Sequence, residues 1–127
     1  MVVARQGRID RAPYEFSDHT KIEALRRADW TCECCGIKKK DAPDGYLELH
    51  HRLGIAIAVR QFPELSNAVI KSVENCMCLC ATCHKMIDHT KINNQALAKN
   101  LVERYELRQE KVGEMRQALA TSGRRRV

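Results

Sequence analysis

Seven cysteines and five histidines in a chain of 127 residues are the side chains here most able to do chemistry, and their spacing is regular. Cys32 and Cys35 form one C-x-x-C pair followed by Gly36, a residue that suits a tight metal-binding turn. Cys80 and Cys83 form a second, with 44 residues between Cys35 and Cys80. Four thiolates from two such knuckles close a tetrahedron around one zinc ion and leave it no open position, which is the coordination of a structural site. A redox C-x-x-C needs only one pair, and iron–sulfur clusters use other spacings. A site of this kind supplies roughly 10–16 kcal/mol of apparent binding energy to folding, enough to hold the centre of a chain poor in aromatic residues. Cys34, Cys76 and Cys78 are left over and read as small apolar residues.

The histidines give a second pattern. Tyr46 to Arg52 reads as a strand carrying His50 and His51 side by side. Neighbouring side chains on a strand point to opposite faces, so one histidine is free to bind a metal while the other faces a substrate. His84 directly follows the second knuckle and opens a helix on which Asp88, four residues on, shares its face, whereas His89 is turned away by about 140°. His50 and His84, with Asp88 as the added ligand, make an open site of mixed nitrogen and oxygen character. It suits Mg²⁺ and would hold Mn²⁺, Ni²⁺ or Zn²⁺ more tightly.

Taken together, Cys32-x-x-Cys35, Leu-Glu-Leu-His50-His51, Asn75 and Leu-Cys80-x-x-Cys83-His84 resemble the HNH nucleases, the ββα-metal (His-Me finger) endonucleases, in their zinc-ribbon form. The resemblance covers about residues 22 to 90. It implies that His50 and His84 bind a catalytic divalent cation, that His51 is the general base and that Asn75 steadies the base and its loop. It also implies hydrolysis of DNA phosphodiesters with a single metal. Asp88 falls where some members carry another histidine. The 23 residues between His51 and Asn75 depart from the family's Gly-rich loop, being longer and more apolar. The chemistry is coherent on its own terms: a neutral His51 takes a proton from water, and the cation neutralises the scissile phosphate and the leaving 3′ oxygen. Arg52 is placed to touch phosphate, with a surface salt bridge as its plainer role.

The elements that must position these groups are fewer. Residues 1–17 lack periodicity and read as a surface arm. Asp18 or Thr20 caps a helix to about Ala28, with Ile22, Leu25 and Trp30 facing inward. Lys38, Lys39 and Lys40 make a basic run before a turn rich in Asp, Pro and Gly, with a solvated loop set against phosphate contact. Residues 53–73 fit either a strand or a short helix. Residues 76–80 alternate as a second strand. Asn94 caps a helix to about Ala120, ended by Gly123, whose stripe of Leu97, Leu101, Tyr105, Val112, Met115 and Leu119 packs on the domain or on a second copy.

The expected architecture is thus one small α+β domain over residues 1–127. It has an arm (1–17), a zinc-stabilised ββα-metal core (about 18–92) and a C-terminal helix (about 93–122). No apolar run suits a secretory signal or a membrane span, so the expected location is cytoplasmic, where clustered cysteines bind metal rather than form disulfides. The formal charge of +6 falls to about +4 once four thiolates surround one zinc. That balance favours DNA as partner over a membrane. Three functions compete. The first is a metal-dependent DNA endonuclease. The second is a zinc-ribbon module that binds nucleic acid without cutting. The third is a two-histidine, one-carboxylate iron site, which gives His51 and Asn75 no task. Monomer and homodimer both remain open.

Overall fold

The computed structural model describes residues 8–125. Expectations for residues 1–7, for Arg126 and Val127, and for the side chains of the last few residues lie outside the described part. Ser17, rather than Asp18 or Thr20, starts the first helix, α1 (Asp18–Arg27), its hydroxyl accepting the amide of Thr20 at 3.1 Å. Ala24 is the residue this helix buries, and Leu25 packs beside it. Ile22 and Trp30, both expected to face inward, are exposed.

Two four-residue strands, β1 (Glu48–His51) and β2 (Cys76–Leu79), pair antiparallel, with His50 opposite Met77 and His51 opposite Cys76. The ambiguous stretch between them is helical: α2 (Ile55–Gln61) and α3 (Asn67–Ile70). Its alternation of Ile and Val with Gly and Ala suggested a strand, but Ile55 and Ala58 are buried three residues apart, a helical period. Ser66 caps α3 through the Val69 amide. The short helix α4 (Ala81–Met86) follows β2 directly, and α5 (Asn94–Arg125) closes the described chain. Asn93, one residue before the expected cap, accepts the Ala96 amide at 3.0 Å. Gly123 does not end α5, which continues to Arg125.

The result is a small α+β fold, with five α-helices and one two-stranded sheet among the described residues. Burial divides into two clusters. One joins Phe16, Ala24, Leu47, Leu79 and the cysteines around the sheet; the other joins Leu53, Ile55, Ile70 and Leu101 under α2, α3 and α5. The buried Glu74 carboxylate lies at their junction, accepting from Arg27 of α1 at 3.4 Å and from Arg108 of α5 at 2.7 Å. Of the α5 stripe, Leu101 is in the core and Leu97 and Tyr105 flank it, while Met115 and Leu119 are exposed. None of the described helices is long and apolar enough to cross a membrane.

Candidate metal centres and the histidine pair

The two knuckles meet. Sulfur atoms of Cys32, Cys35, Cys80 and Cys83 all lie within 4.8 Å of one another. Cys35 Sγ and Cys80 Sγ are 3.8 Å apart, far beyond a disulfide bond of about 2.05 Å. It is, however, the edge of a tetrahedron whose centre lies about 2.3 Å from each corner, the zinc–sulfur distance. Local structure explains the convergence. Gly36 at φ 80° lets the first knuckle fold back, its amide bonding Cys32 O at 3.0 Å. Cys80 is the N-cap of α4, so its sulfur faces the amide of Cys83, one helical turn on. Burial opposes ionisation of Cys32, but amides of Cys35, Cys80 and Cys34 outweigh it and bring the thiol down to about 6. Cys83 is driven the other way by burial and by the neighbouring sulfurs. Four sulfurs this close are a donor set that a dication completes, and the four cysteines fit a structural metal such as zinc.

The spare cysteines divide. Cys76 and Cys78 are buried and held as thiols, pushed by burial to about 12 and about 11 respectively. Cys34 is exposed rather than buried.

On the sheet, alternation separates the two histidines as expected. His50 faces α4, where its ring lies 3.6 Å from that of His84 between centroids. Between them stands Glu48, whose Oε2 is 3.2 Å from His50 Nε2 and 2.7 Å from His84 Nδ1. These three donors lie within 4.8 Å of one another and are half-buried, so a cation held by them would keep open positions. Glu48 is held below the usual carboxylate range, chiefly by its hydrogen bond from His50 and also by that from His84.

Asp88, expected to complete this group, stands outside it. The expectation required α4 to run through residue 88, but the helix ends at Met86 and Ile87 is extended. Asp88 instead caps the following turn, its carboxylate accepting from the amide and hydroxyl of Thr90. Glu48 was missed although a signal was present: it lies two residues before His50, on the same strand face.

His51 turns to the opposite side. Its ring stacks on Phe16 at 3.9 Å between centroids, and its Nε2 lies 2.7 Å from the carbonyl oxygen of Tyr14. A carbonyl only accepts, so Nε2 donates to it, and in the neutral ring Nδ1 then keeps its lone pair. Burial holds the imidazole below its ordinary range, with the Tyr14 bond a smaller, opposing influence. The segment read as a surface arm therefore builds this site: Phe16 is a core residue.

Asn75 is fully buried and touches the backbone rather than the imidazole. Its Oδ1 accepts the Leu53 amide at 2.8 Å, and its Nδ2 donates to Leu53 O and Ile70 O at 3.2 and 2.8 Å. The Asn75 carbonyl accepts the Arg52 amide at 2.8 Å, which fixes the chain where it leaves the histidine pair. Arg52 is taken up internally, donating to the Glu74 carbonyl at 3.2 Å and pairing with the carboxylate of Glu33. Glu33 in turn accepts the amide of Cys78 at 2.6 Å. Its ionic role is thus the salt bridge, which ties the first knuckle to the sheet.

The chain matches no protein-family profile and no curated protein sequence.

Proposed function

We propose that this protein is a metal-dependent DNA endonuclease of the HNH type, hydrolysing phosphodiester bonds with His51 as general base. The observation that supports it best is the setting of His51: biased by burial toward the neutral ring, fixed by the Tyr14 carbonyl and the Phe16 ring, with no hydrogen bond to Nδ1 among the described residues, and adjacent in sequence to His50 of the Glu48–His50–His84 group. A general base needs a lone pair at working pH and a fixed orientation, and these contacts supply both. Water attacking phosphorus passes its proton to Nδ1 of His51, and the Tyr14 carbonyl stabilises the imidazolium that results. Glu48, His50 and His84 replace the expected set of His50, His84 and Asp88 as ligands of the catalytic Mg²⁺, Mn²⁺ or Ni²⁺. That cation would neutralise the scissile phosphate and stabilise the leaving 3′ oxygen. Asn75 is a positioning residue, holding the chain just after the base through Leu53. Zinc on the four cysteines supports the fold, and the basic balance of the chain suits a polyanion.

A second reading, nucleic-acid binding without cleavage, draws on one observation. Glu48 Oε2 reaches both imidazoles, so the group can be satisfied by shared protons with no cation. Incubating zinc-loaded protein with supercoiled plasmid and Mg²⁺, Mn²⁺ or Ni²⁺ decides between them. Nicking that ends when the divalent cation is omitted supports the nuclease. Retained plasmid binding with no nicking under any of the three cations overturns it in favour of the binding module.

A further inference from the structure

Trp30 is the only tryptophan in the chain, and it is 42% exposed. A side chain of this size normally contributes heavily to a core. Here the backbone turns it outward at a cost. Asp29 and Trp30 both adopt the left-handed conformation, φ 54° and 53°, which bulky residues rarely enter and which costs roughly 1–2 kcal/mol per residue. The conformation is held by what surrounds it. The Trp30 amide bonds Leu25 O at 2.9 Å, its carbonyl accepts the Lys39 amide at 2.8 Å, and Thr31 bridges to Lys38 just before the zinc knuckle begins at Cys32. Strain held this firmly beside an exposed ring points to a use for the ring.

Its surroundings indicate the use. A shallow groove of about 380 Å³ is lined by Trp30, Lys38, Lys39 and Lys40. Lys38 is lightly engaged, by the exposed Asp29 at 3.1 Å, and Lys39 donates to Gly45 O at 3.1 Å. Lys40 has no polar partner among the described residues. An exposed indole and three lysine side chains lining one groove match a ligand with a π-face and a run of negative charge. A single-stranded nucleic acid has both: unpaired bases stack on aromatic side chains while lysines follow the phosphates. An acidic peptide offers the charge but no ring, and a duplex hides its base faces.

We propose that Trp30 and Lys38–Lys40 form a binding site for single-stranded nucleic acid, in which Trp30 stacks on an unpaired base and the lysines contact the flanking phosphates. This site needs neither the Glu48–His50–His84 group nor cleavage, so it stands if the nuclease reading fails and falls separately from it.

The test uses the fluorescence of Trp30, with the zinc-loaded 127-residue chain and no added catalytic cation. Titration with a short oligothymidylate should quench the emission saturably. The same strand lacking its bases, the matching duplex and polyglutamate should each need at least about tenfold more ligand. Trp30→Gly accepts the positive φ and removes the ring; with zinc content unchanged it should weaken binding of the oligonucleotide, read by anisotropy, by roughly 5- to 150-fold, the range expected for one stacked base. Trp30→Phe should retain most of the affinity. Joint replacement of Lys38, Lys39 and Lys40 by Glu should flatten the salt dependence. The abasic strand or polyglutamate binding as tightly as oligothymidylate would reduce the site to bare charge and overturn the proposal, as would unchanged affinity in Trp30→Gly. The comparison of ligands uses the unaltered chain, so its outcome counts even if a variant fails to fold.

Discussion

The four-cysteine cluster and the Glu48–His50–His84 cluster share helix α4, yet they are built to opposite ends. Cys32, Cys80 and Cys83 are buried and the exposed Cys35 makes the fourth ligand, so a metal held there has no open position. The three donors of the second cluster are half-buried and only three, so a metal held there keeps contact with water. Adjacent residues on one helix, Cys83 and His84, serve the two. The dependence should therefore run one way: without the knuckles α4 has no anchor and His84 no position, whereas the knuckles have no need of His84. A closed site gives up exchange for stability, and an open one does the reverse.

The largest effect should come from breaking the closed cluster. Cys32→Ser should leave the protein without zinc and unfolded or precipitated, given the roughly 10–16 kcal/mol such sites contribute. Cys34→Ser, at an exposed sulfur, should change neither zinc content nor solubility. Elemental analysis of soluble, folded wild-type protein that finds no zinc would remove the basis of the comparison.

Breaking the open cluster should spare the fold. Glu48→Ala, His50→Ala and His84→Ala should each lose cleavage and recover part of it as Mn²⁺ is raised, because they weaken a metal site. His51→Ala should lose roughly 10²–10⁴ in rate with no recovery. Plasmid nicking across a Mn²⁺ titration separates the two behaviours, and rescue of His51→Ala by metal would reverse the roles given to His50 and His51.

Asn75→Ala should act through the backbone. It leaves the Leu53 amide and two buried carbonyls without partners, a loss on the order of 2–4 kcal/mol. Urea denaturation should show that loss, with cleavage slowed but not abolished. A variant of full stability that is as dead as His51→Ala would give Asn75 a direct part in the chemistry instead.

Acid sharpens the role of His51. Its folded pKa is lowered, so the folded state favours the neutral ring. The stability this contributes is complete above the unfolded value of about 6.5 and is lost as pH falls below it. The same sign holds for activity. With Mn²⁺ saturating, the acid limb of the cleavage rate should lie below pH 6.5, and a limb above 7 would contradict a buried, neutral base.

The smallest effect is expected at the far end of α5. Met115 and Leu119 are exposed, so removing residues 121–127 should change the melting point little. DNA binding should weaken slightly through loss of Arg124, Arg125 and Arg126, and its salt slope should shrink accordingly. Loss of the chemical step with DNA saturating would show that this end does more.

Chemistry was more legible in the sequence than packing. Both knuckles, the two strands and the opposed faces of His50 and His51 follow from spacing and a period of two, and these are where the expectations agree with the structure. Asp88 failed because a periodicity argument assumes a helix and cannot see where it stops. Tyr14 and Phe16 were illegible as parts of a site because their role is a long-range contact with His51, for which no local pattern exists. The segment between the strands was ambiguous because small and β-branched residues alternate in it, and tertiary burial decided for helix. Trp30 reads as inward only on helical spacing from Ile22 and Leu25, and the helix stops at Arg27, three residues short of it.

The length of α5 also bears on how copies of this chain should be counted. Thirty-two residues of helix extend about 48 Å, more than the diameter of about 30 Å typical of a small domain, and residues 113–122 of it are exposed. An elongated particle drags more water than a sphere of equal mass and leaves a gel-filtration column early. A monomer would therefore elute as though it were larger, in the direction of a dimer, and light scattering or sedimentation equilibrium, which weigh the particle rather than its shape, will give the number of subunits directly.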